Sequence, residues 1–118
     1  MISSVVHIGC GAGFSGDRID AAIPVVATLA KKEGPKYLIF ETLAERTLAL
    51  AQKHRRKDPS HGYSPFLESY IRPILKKCHE SGIKIVSNFG AANPKGGAIK
   101  IAEIAKETGC KLSLIHIS

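Results

Sequence analysis

The sequence predicts an α/β domain built on an open parallel sheet, and three observations carry that prediction. Short apolar runs alternate with longer stretches of helical periodicity, which calls for parallel strands joined by right-handed crossovers. The run Tyr37-Leu38-Ile39-Phe40 is continuously apolar, as in a strand buried on both faces. The first apolar run empties into Ile8-Gly9-Cys10-Gly11-Ala12-Gly13-Phe14-Ser15-Gly16-Asp17-Arg18, which holds four of the eleven glycines. A strand entering such a loop marks a ligand site in many α/β proteins. The expected architecture is three-layer and Rossmann-like, in the order β-α-β-α-α-β-α-β, and incomplete.

Each element has a local reason. Ile2 to Ile8 forms the first strand, and the glycine loop follows. A helix runs from about Asp20 to Glu33, with Ile23, Val26, Leu29 and Ala30 as its inner stripe, and Gly34-Pro35 stops it. Tyr37 to Phe40 is the second strand. Thr42-Leu43-Ala44-Glu45 reads as a capping box, with Thr42 as N-cap, for a helix reaching about Arg56. Lys57 to Tyr63 is turn-rich, and Ser64-Pro65 opens the next helix. Phe66, Tyr70, Ile74 and Cys78 keep a spacing of four across Pro73, so one kinked helix is expected up to Gly82. Ile83 to Val86 is the third strand. Asn93-Pro94 caps a helix that turns Ile99, Ala102 and Ala105 inward and ends at Gly109. Leu112 to Ile117 reads as a fourth strand with no helix after it, as in a domain cut short.

Bulk properties narrow the function classes. The 118 residues are 44% hydrophobic and 23% charged, as in ordinary globular proteins. No apolar run reaches the roughly 20 residues that span a bilayer, and the start lacks the basic and apolar regions of a signal peptide. No membrane partner and a cytoplasmic location are therefore expected. Cys10, Cys78 and Cys110 include no CxxC pair, which argues against both a disulfide framework and a zinc ribbon. Cys78 lies on an apolar stripe, and Cys10 reads as a buried inert thiol, with a reactive one as the alternative. The formal charge is +7, with cations at Lys31-Lys32, Lys53-His54-Arg55-Arg56-Lys57, Lys76-Lys77 and Lys106. Each group falls near a predicted helix end, where a cation gains about 0.3–1 kcal/mol from the helix dipole. No aromatic residues interleave with these runs, which argues against a nucleic-acid partner.

Gly11-Ala12-Gly13-Phe14-Ser15-Gly16 matches GxGxxG, and Glu41 ends the second strand where a dinucleotide fold places its ribose-binding acid. Pro24, however, fits the opening turn of a helix that starts near Asp20. That helix begins too late for its amides to hold a pyrophosphate, and Asp17 and Asp20 repel one. The loop is thus a dinucleotide site, another phosphate or acyl-carrier contact, or a tight structural turn. The second loop, Asn88 to Gly97, places Gly96-Gly97 in a first helical turn at about 1 kcal/mol each relative to alanine. Either an anionic ligand approaches there, near Lys95, or the pair packs against the first glycine loop. Both loops and Glu41 lie at carboxyl ends of strands, where ligands of open sheets bind. Asp17 and Glu41 are the candidate catalytic residues, as general base or metal ligand. Gly11, Gly13, Ser15, Gly16, Arg18, Asn88, Asn93 and Gly96 are the candidate ligand contacts, with Arg18 suited to a carboxylate or phosphate. The opposing reading pairs Asp17 with Arg18 and makes Glu41 a helix cap. No cofactor is identifiable from these residues.

The glycine-loop string, Phe40-Glu41-Thr42-Leu43-Ala44-Glu45-Arg46, Gly62-Tyr63, Ile71-Arg72-Pro73 and Ser87-Asn88-Phe89-Gly90-Ala91-Ala92-Asn93-Pro94 occur in that order. Together they resemble the acyclic terpene utilisation (AtuA-like) family over residues 1 to about 110. The resemblance implies a bacterial protein of citronellol- and geraniol-type isoprenoid breakdown, which proceeds through acyl-CoA intermediates. It also implies a much longer parent protein, and it supplies no catalytic residues. The expected function is the amino-terminal fragment of a catabolic enzyme acting on an isoprenoid acid or its CoA thioester, its reaction unknown. The alternatives are a nucleotide-binding module using the GxGxxG turn and a non-catalytic nucleic-acid or scaffold protein. The tail Leu112-Ser113-Leu114-Ile115-His116-Ile117-Ser118 departs from the family and resembles a translated sequencing-library adapter. The expected domain is therefore residues 1–111, with 112–118 a non-native tail.

Overall fold

Three runs of apolar and β-branched residues form parallel strands β1 (His7–Ala12), β2 (Lys36–Phe40) and β3 (Ile83–Ser87), side by side in that order. The computed structural model describes residues 5–14 and 16–111. Ser15 and the fourth strand expected at 112–117 lie outside the described residues. Helices α1 (Ala22–Ala30), α2 (Glu45–Lys57), α3 (Leu67–Ile71), α4 (Leu75–Glu80) and α5 (Pro94–Thr108) connect and cover the strands. The result is the open parallel α/β sheet that the alternating pattern predicts.

β1 starts at His7 and runs through the first half of the glycine stretch, with Val5 and Val6 outside it; the expected start at Ile2 lies outside the described residues. Two glycines there have packing reasons. A Cβ on Gly9 would lie 2.5 Å from Val25 Cγ1 and 2.9 Å from Leu29 Cδ1, so its absence lets α1 settle on the strand. A Cβ on Gly11 would collide with the Phe40 ring. The register with β2 slips between Cys10 and Ala12, which makes Gly11 the extra residue of a bulge.

Several helices differ from their expected form. α1 buries Ala22, Val26 and Leu29, but Ile23 is exposed, because seating Val25 and Leu29 over Gly9 turns it to solvent. Pro24 does fall in the first turn. Thr42 caps nothing: it is buried, and α2 starts at Glu45. Its start is held instead by the Ala44 N–H, which donates to Thr47 Oγ1 at 2.6 Å. The expected kinked helix is two helices. Pro73 lacks an N–H, and the chain crosses it by a tight turn in which Ile74 N–H donates to Ile71 C=O at 3.1 Å. α5 begins at the Asn93 cap and ends at left-handed Gly109, as expected. Its buried face is Gly97, Ile104 and Ala105, whereas Ile99 and Ala102 are exposed. Gly97 sets that rotation by packing against Gly90, Leu67 and Tyr63.

The core lies on one face of the sheet. Leu38, Phe40 and Ile83 meet Val26, Leu29, Ile74 and Cys78, and the rings of Phe40, Tyr70 and Phe89 pack together with centroids 4.9–5.5 Å apart. The register puts Ile8 beside Tyr37 and Lys84, and Cys10 beside Ile39 and Val86. Ile8, Cys10, Ile39 and Val86 are all exposed, so among the described residues the helices cover the opposite face only. Cys10 is therefore a surface thiol on a strand, and the buried reading was wrong because the strand continues past Ile8. Cys78 and Cys110 are buried, and burial pushes the Cys78 thiol up to about 11. In the native protein at neutral pH, a thiol-reactive dye should modify Cys10 rapidly and the other two only after denaturation. Rapid labelling of Cys78 would contradict this packing.

Candidate functional site

Parallel strands bring their carboxyl ends to one rim, so Gly13, Glu41 and Asn88 share the same end of the sheet. There Glu41 N–H donates to Ala12 C=O at 2.9 Å, extending the β1–β2 ladder by one bond. The Glu41 side chain turns back over its own loop. Its Oε1 accepts from Leu43 N–H at 2.6 Å and from Asn88 Nδ2 at 2.8 Å. Asn88 Oδ1 in turn accepts from Thr42 N–H at 3.0 Å and from Thr42 Oγ1 at 3.4 Å. Asn88 thereby clamps the end of β2 to the end of β3. The Asn88 amide, followed by the Leu43 N–H, holds the Glu41 carboxyl below the usual range. The second carboxylate oxygen has no protein partner among the described residues.

The glycine loop is closed by its own acid. Asp17 accepts from Gly13 N–H at 2.9 Å with Oδ2 and from Arg18 N–H at 2.8 Å with Oδ1. Those two amides hold its carboxyl below the ordinary value. The Arg18 guanidinium forks onto Asp20, with both bonds at 2.9 Å, so the ion pair is Arg18–Asp20 and not Arg18–Asp17. Gly16 takes φ +88°, open to glycine at little cost. Tyr70 of α3 reaches up to donate to the Asp17 C=O at 2.7 Å, tying the loop to the aromatic core. α1 begins only at Ala22, so its first amides stand well beyond the loop. Asp17 thus occupies one amide inside the GxGxxG stretch, that of Gly13, and the Arg18 amide just beyond it.

The second loop is also closed from within. Asn93 is buried. Its Oδ1 accepts from Gly96 N–H at 2.9 Å, and its Nδ2 donates to the carbonyls of Pro59 at 3.1 Å and His61 at 2.9 Å. A Cβ on Gly96 would stand 2.5 Å from Asn93 Nδ2, so that glycine makes room for the cap. The glycine pair therefore packs on Asn93, Gly90, Leu67 and Tyr63, not on the first glycine loop.

The structure thus brings together Gly13, Asp17, Glu41 and Asn88 at the rim. Asn93 and Gly96 sit in a self-satisfied cap beside it. Sequence reading missed Thr42 and Tyr70, whose contacts span 46 and 53 residues and leave no local signature. An open hollow of about 590 Å³ lies along β1, between Ile8, Cys10 and Val25, and another of about 720 Å³ flanks α2 at Leu48, Lys53 and Arg56. Among the described residues no cluster of three His, Cys, Asp or Glu side chains forms a metal site, and no helix is long and apolar enough to cross a membrane.

The acid side of the stability profile follows from these carboxylates. Asp17, Asp20, Glu41, Asp58 and Glu68 all have lowered values, so each contributes stability above its unfolded value, about 4. That contribution disappears as pH falls through the lowered folded values. The thermal midpoint should be flat near neutrality and drop below about pH 4, and Glu41→Gln should shrink the drop in pH-dependent melts. A midpoint that rises on acidification would contradict these contacts.

The acyclic terpene utilisation protein AtuA family profile matches residues 6–118. No curated protein and no solved structure matches the chain. The match begins just before β1 and takes in every element of the fold, including both loops of the rim. The chain belongs to the acyclic terpene utilisation protein AtuA family.

Proposed function

We propose that this chain is the amino-terminal part of a cytoplasmic catabolic enzyme that acts on an isoprenoid acid or its CoA thioester, with the substrate at the carboxyl rim. The observation that carries the reading is the Glu41–Asn88–Thr42 clamp, a polar network at the end of an open parallel sheet. Glu41 stays ionised at neutral pH and keeps one carboxylate oxygen for a substrate hydroxyl or proton. Asp17 acts by shaping the loop, since both its oxygens already accept backbone amides. Phe14 and Ile19 flank Asp17 and are exposed, and exposed Phe66 lies one turn before Tyr70, which reaches Asp17. These side chains supply apolar surface for a branched hydrocarbon chain. Residues 1–111 form the domain in this reading, although the family match itself runs on through 118.

Growth on citronellol tests the proposal. Deleting the full-length gene should abolish it, wild type should restore it, and Glu41→Gln should restore it poorly at an unchanged protein level. Unimpaired growth of the deletion strain would remove the reading. Nucleotide binding predicts a different result, saturable titration by NAD or ATP, and Asp17 must leave Gly13 for that to occur.

A further inference from the structure

We infer that the bare face of the sheet seats a second layer of helices supplied by the remainder of the same polypeptide, and that this layer brings a carboxylate to Lys84. The inference rests on the reading of this chain as the amino-terminal part of a longer protein, and not on the identity of the substrate. Its basis is the register. Ile8, Tyr37 and Lys84 form one row across the uncovered face, and Cys10, Ile39 and Val86 form the next. Ile8 is 66% exposed and Val86 52%, and Lys84 is the one charged side chain of the two rows. All-parallel sheets occur almost only with both faces covered, and their strands are apolar on both sides. β2 has that composition: Leu38 and Phe40 are buried under the helices, while Tyr37 and Ile39 alternate with them on the other face.

Size and charge select the occupant. Three short strands side by side make a footprint of roughly 14 by 17 Å. That is well under the roughly 800 Å² per partner of a stable interface between separate chains. A second copy would also bring its own charge of +7, and a second Lys84, to the contact. A covalently continuous layer needs no such area, because linkage keeps its local concentration high. Lys84 sets the chemistry of the layer. Its Nζ lies 5.9 Å from the centre of the Tyr37 ring and has no carboxylate partner among the described residues. Covering that row buries an ammonium group, which is tolerated only beside an opposite charge.

The hand of the connections says where the layer enters. β1, β2 and β3 follow one another across the sheet, so their right-handed connections all lie on the covered face. A right-handed connection reaches the bare face only when strands are added in the opposite direction, beyond β1. The hollow of about 590 Å³ along β1 suits such a strand. It is lined from the bare face by Ile8 and Cys10, and from the covered face by Val25 and Leu29. The strand order then reverses at β1, and ligands of open sheets bind at such a reversal, beyond the carboxyl end of the strand. That point is the glycine loop. A Cβ on Gly13 would meet nothing nearer than Asp17 Oδ2 at 4.0 Å, so the space above it is open. The rim of this chain is thus one wall of the site, and the added layer supplies the other.

Cys10 reports the cover, read by mass spectrometry of its peptide after exposure to a thiol-reactive dye. The 118-residue chain by itself should be modified fast. Native full-length protein should react slower by at least about a hundredfold, and urea should abolish the difference. Val86→Arg should lower the thermal midpoint of the full-length protein and leave that of the 118-residue chain near wild type. Ile99→Arg, at an exposed position of α5, should change neither. Lys84→Met should lower the midpoint of the full-length protein alone, because it strands the buried carboxylate. Fast labelling of Cys10 in wild-type full-length protein overturns the inference, whether or not the variants fold. Concentration-dependent protection of Cys10 in the 118-residue chain also overturns it, since a second copy then takes the face. An unchanged midpoint for full-length Lys84→Met overturns the charge pairing. If the reading frame of the gene ends with this chain, the amino-terminal reading itself has failed, a result that needs no labelling.

Discussion

Phe40→Ala should cost about 3–5 kcal/mol of folding stability. Phe40 is 2% exposed and stands at the point where the sheet, the glycine stretch and α3 meet. Its ring lies over Gly11, 4.9 Å from Phe89 and 5.5 Å from Tyr70. Truncation empties that space, and the wall on the Gly11 side is bare backbone with no side chain to move in. Two aromatic contacts are lost as well, each contributing about 0.5–1.5 kcal/mol beyond burial. The reverse change makes the same point. Gly11→Ala drives a methyl into the ring, and overpacking of this kind costs about 1–3 kcal/mol. Combined with Phe40→Leu, Gly11→Ala should be partly rescued, because the smaller side chain vacates the slot. Urea denaturation gives all three values, and Phe14→Ala, at a side chain 62% exposed, should stay within about 0.5 kcal/mol of wild type. A loss below about 1 kcal/mol for Phe40→Ala would mean that the three rings are not packed as one unit.

Legibility in the sequence followed the range of the interaction. The strand at Lys36–Phe40, the Asn93 cap and the Gly109 stop are local signals, and each was read within a residue or two of its place. Glu41 and Asn88 were legible because position alone, the end of a buried strand, puts a residue on the rim. What they do there was not legible, since the Asn88–Thr42 clamp joins two segments 46 residues apart. β1 was misread for a related reason. Glycine is a poor strand former, and only the approach of Val25, Leu29 and Phe40 explains Gly9 and Gly11 within a strand. The GxGxxG match illustrates the same limit: the spacing is present, but Asp17, just past its end, takes the Gly13 amide inside it. The rotated faces of α1 and α5 show that an apolar residue marks a helix without saying which way it turns. Backbone contacts at Gly9 and Gly97 decide that, and Ile23 and Ile99 are left to solvent.

Asn93→Ala should cost about 2–4 kcal/mol, the second large effect, although the residue is small and touches no core side chain cluster. Its amide does two jobs at once. Oδ1 caps α5 through Gly96, and Nδ2 holds the carbonyls of Pro59 and His61. Removing it uncaps the helix and leaves two carbonyls of the loop after α2 without their donor, at a site 6% exposed. Asn93→Ser separates the two contributions, because serine keeps the cap and cannot reach both carbonyls. The difference between Ser and Ala then reports the cap, about 1 kcal/mol, and the difference between wild type and Ser reports the staple on the 59–61 loop. The staple should be the larger share, since Ala92 N–H also donates to Gly62 C=O and Arg55 holds Ala92, so releasing Asn93 loosens the anchorage of α2 as well. Protease susceptibility of the 58–62 loop should rise in both variants by a similar factor. If Asn93→Ser matches wild type in denaturation and proteolysis, the bonds to Pro59 and His61 do not hold the loop, and α2 is positioned by Arg55 and the Ala92–Gly62 bond without them.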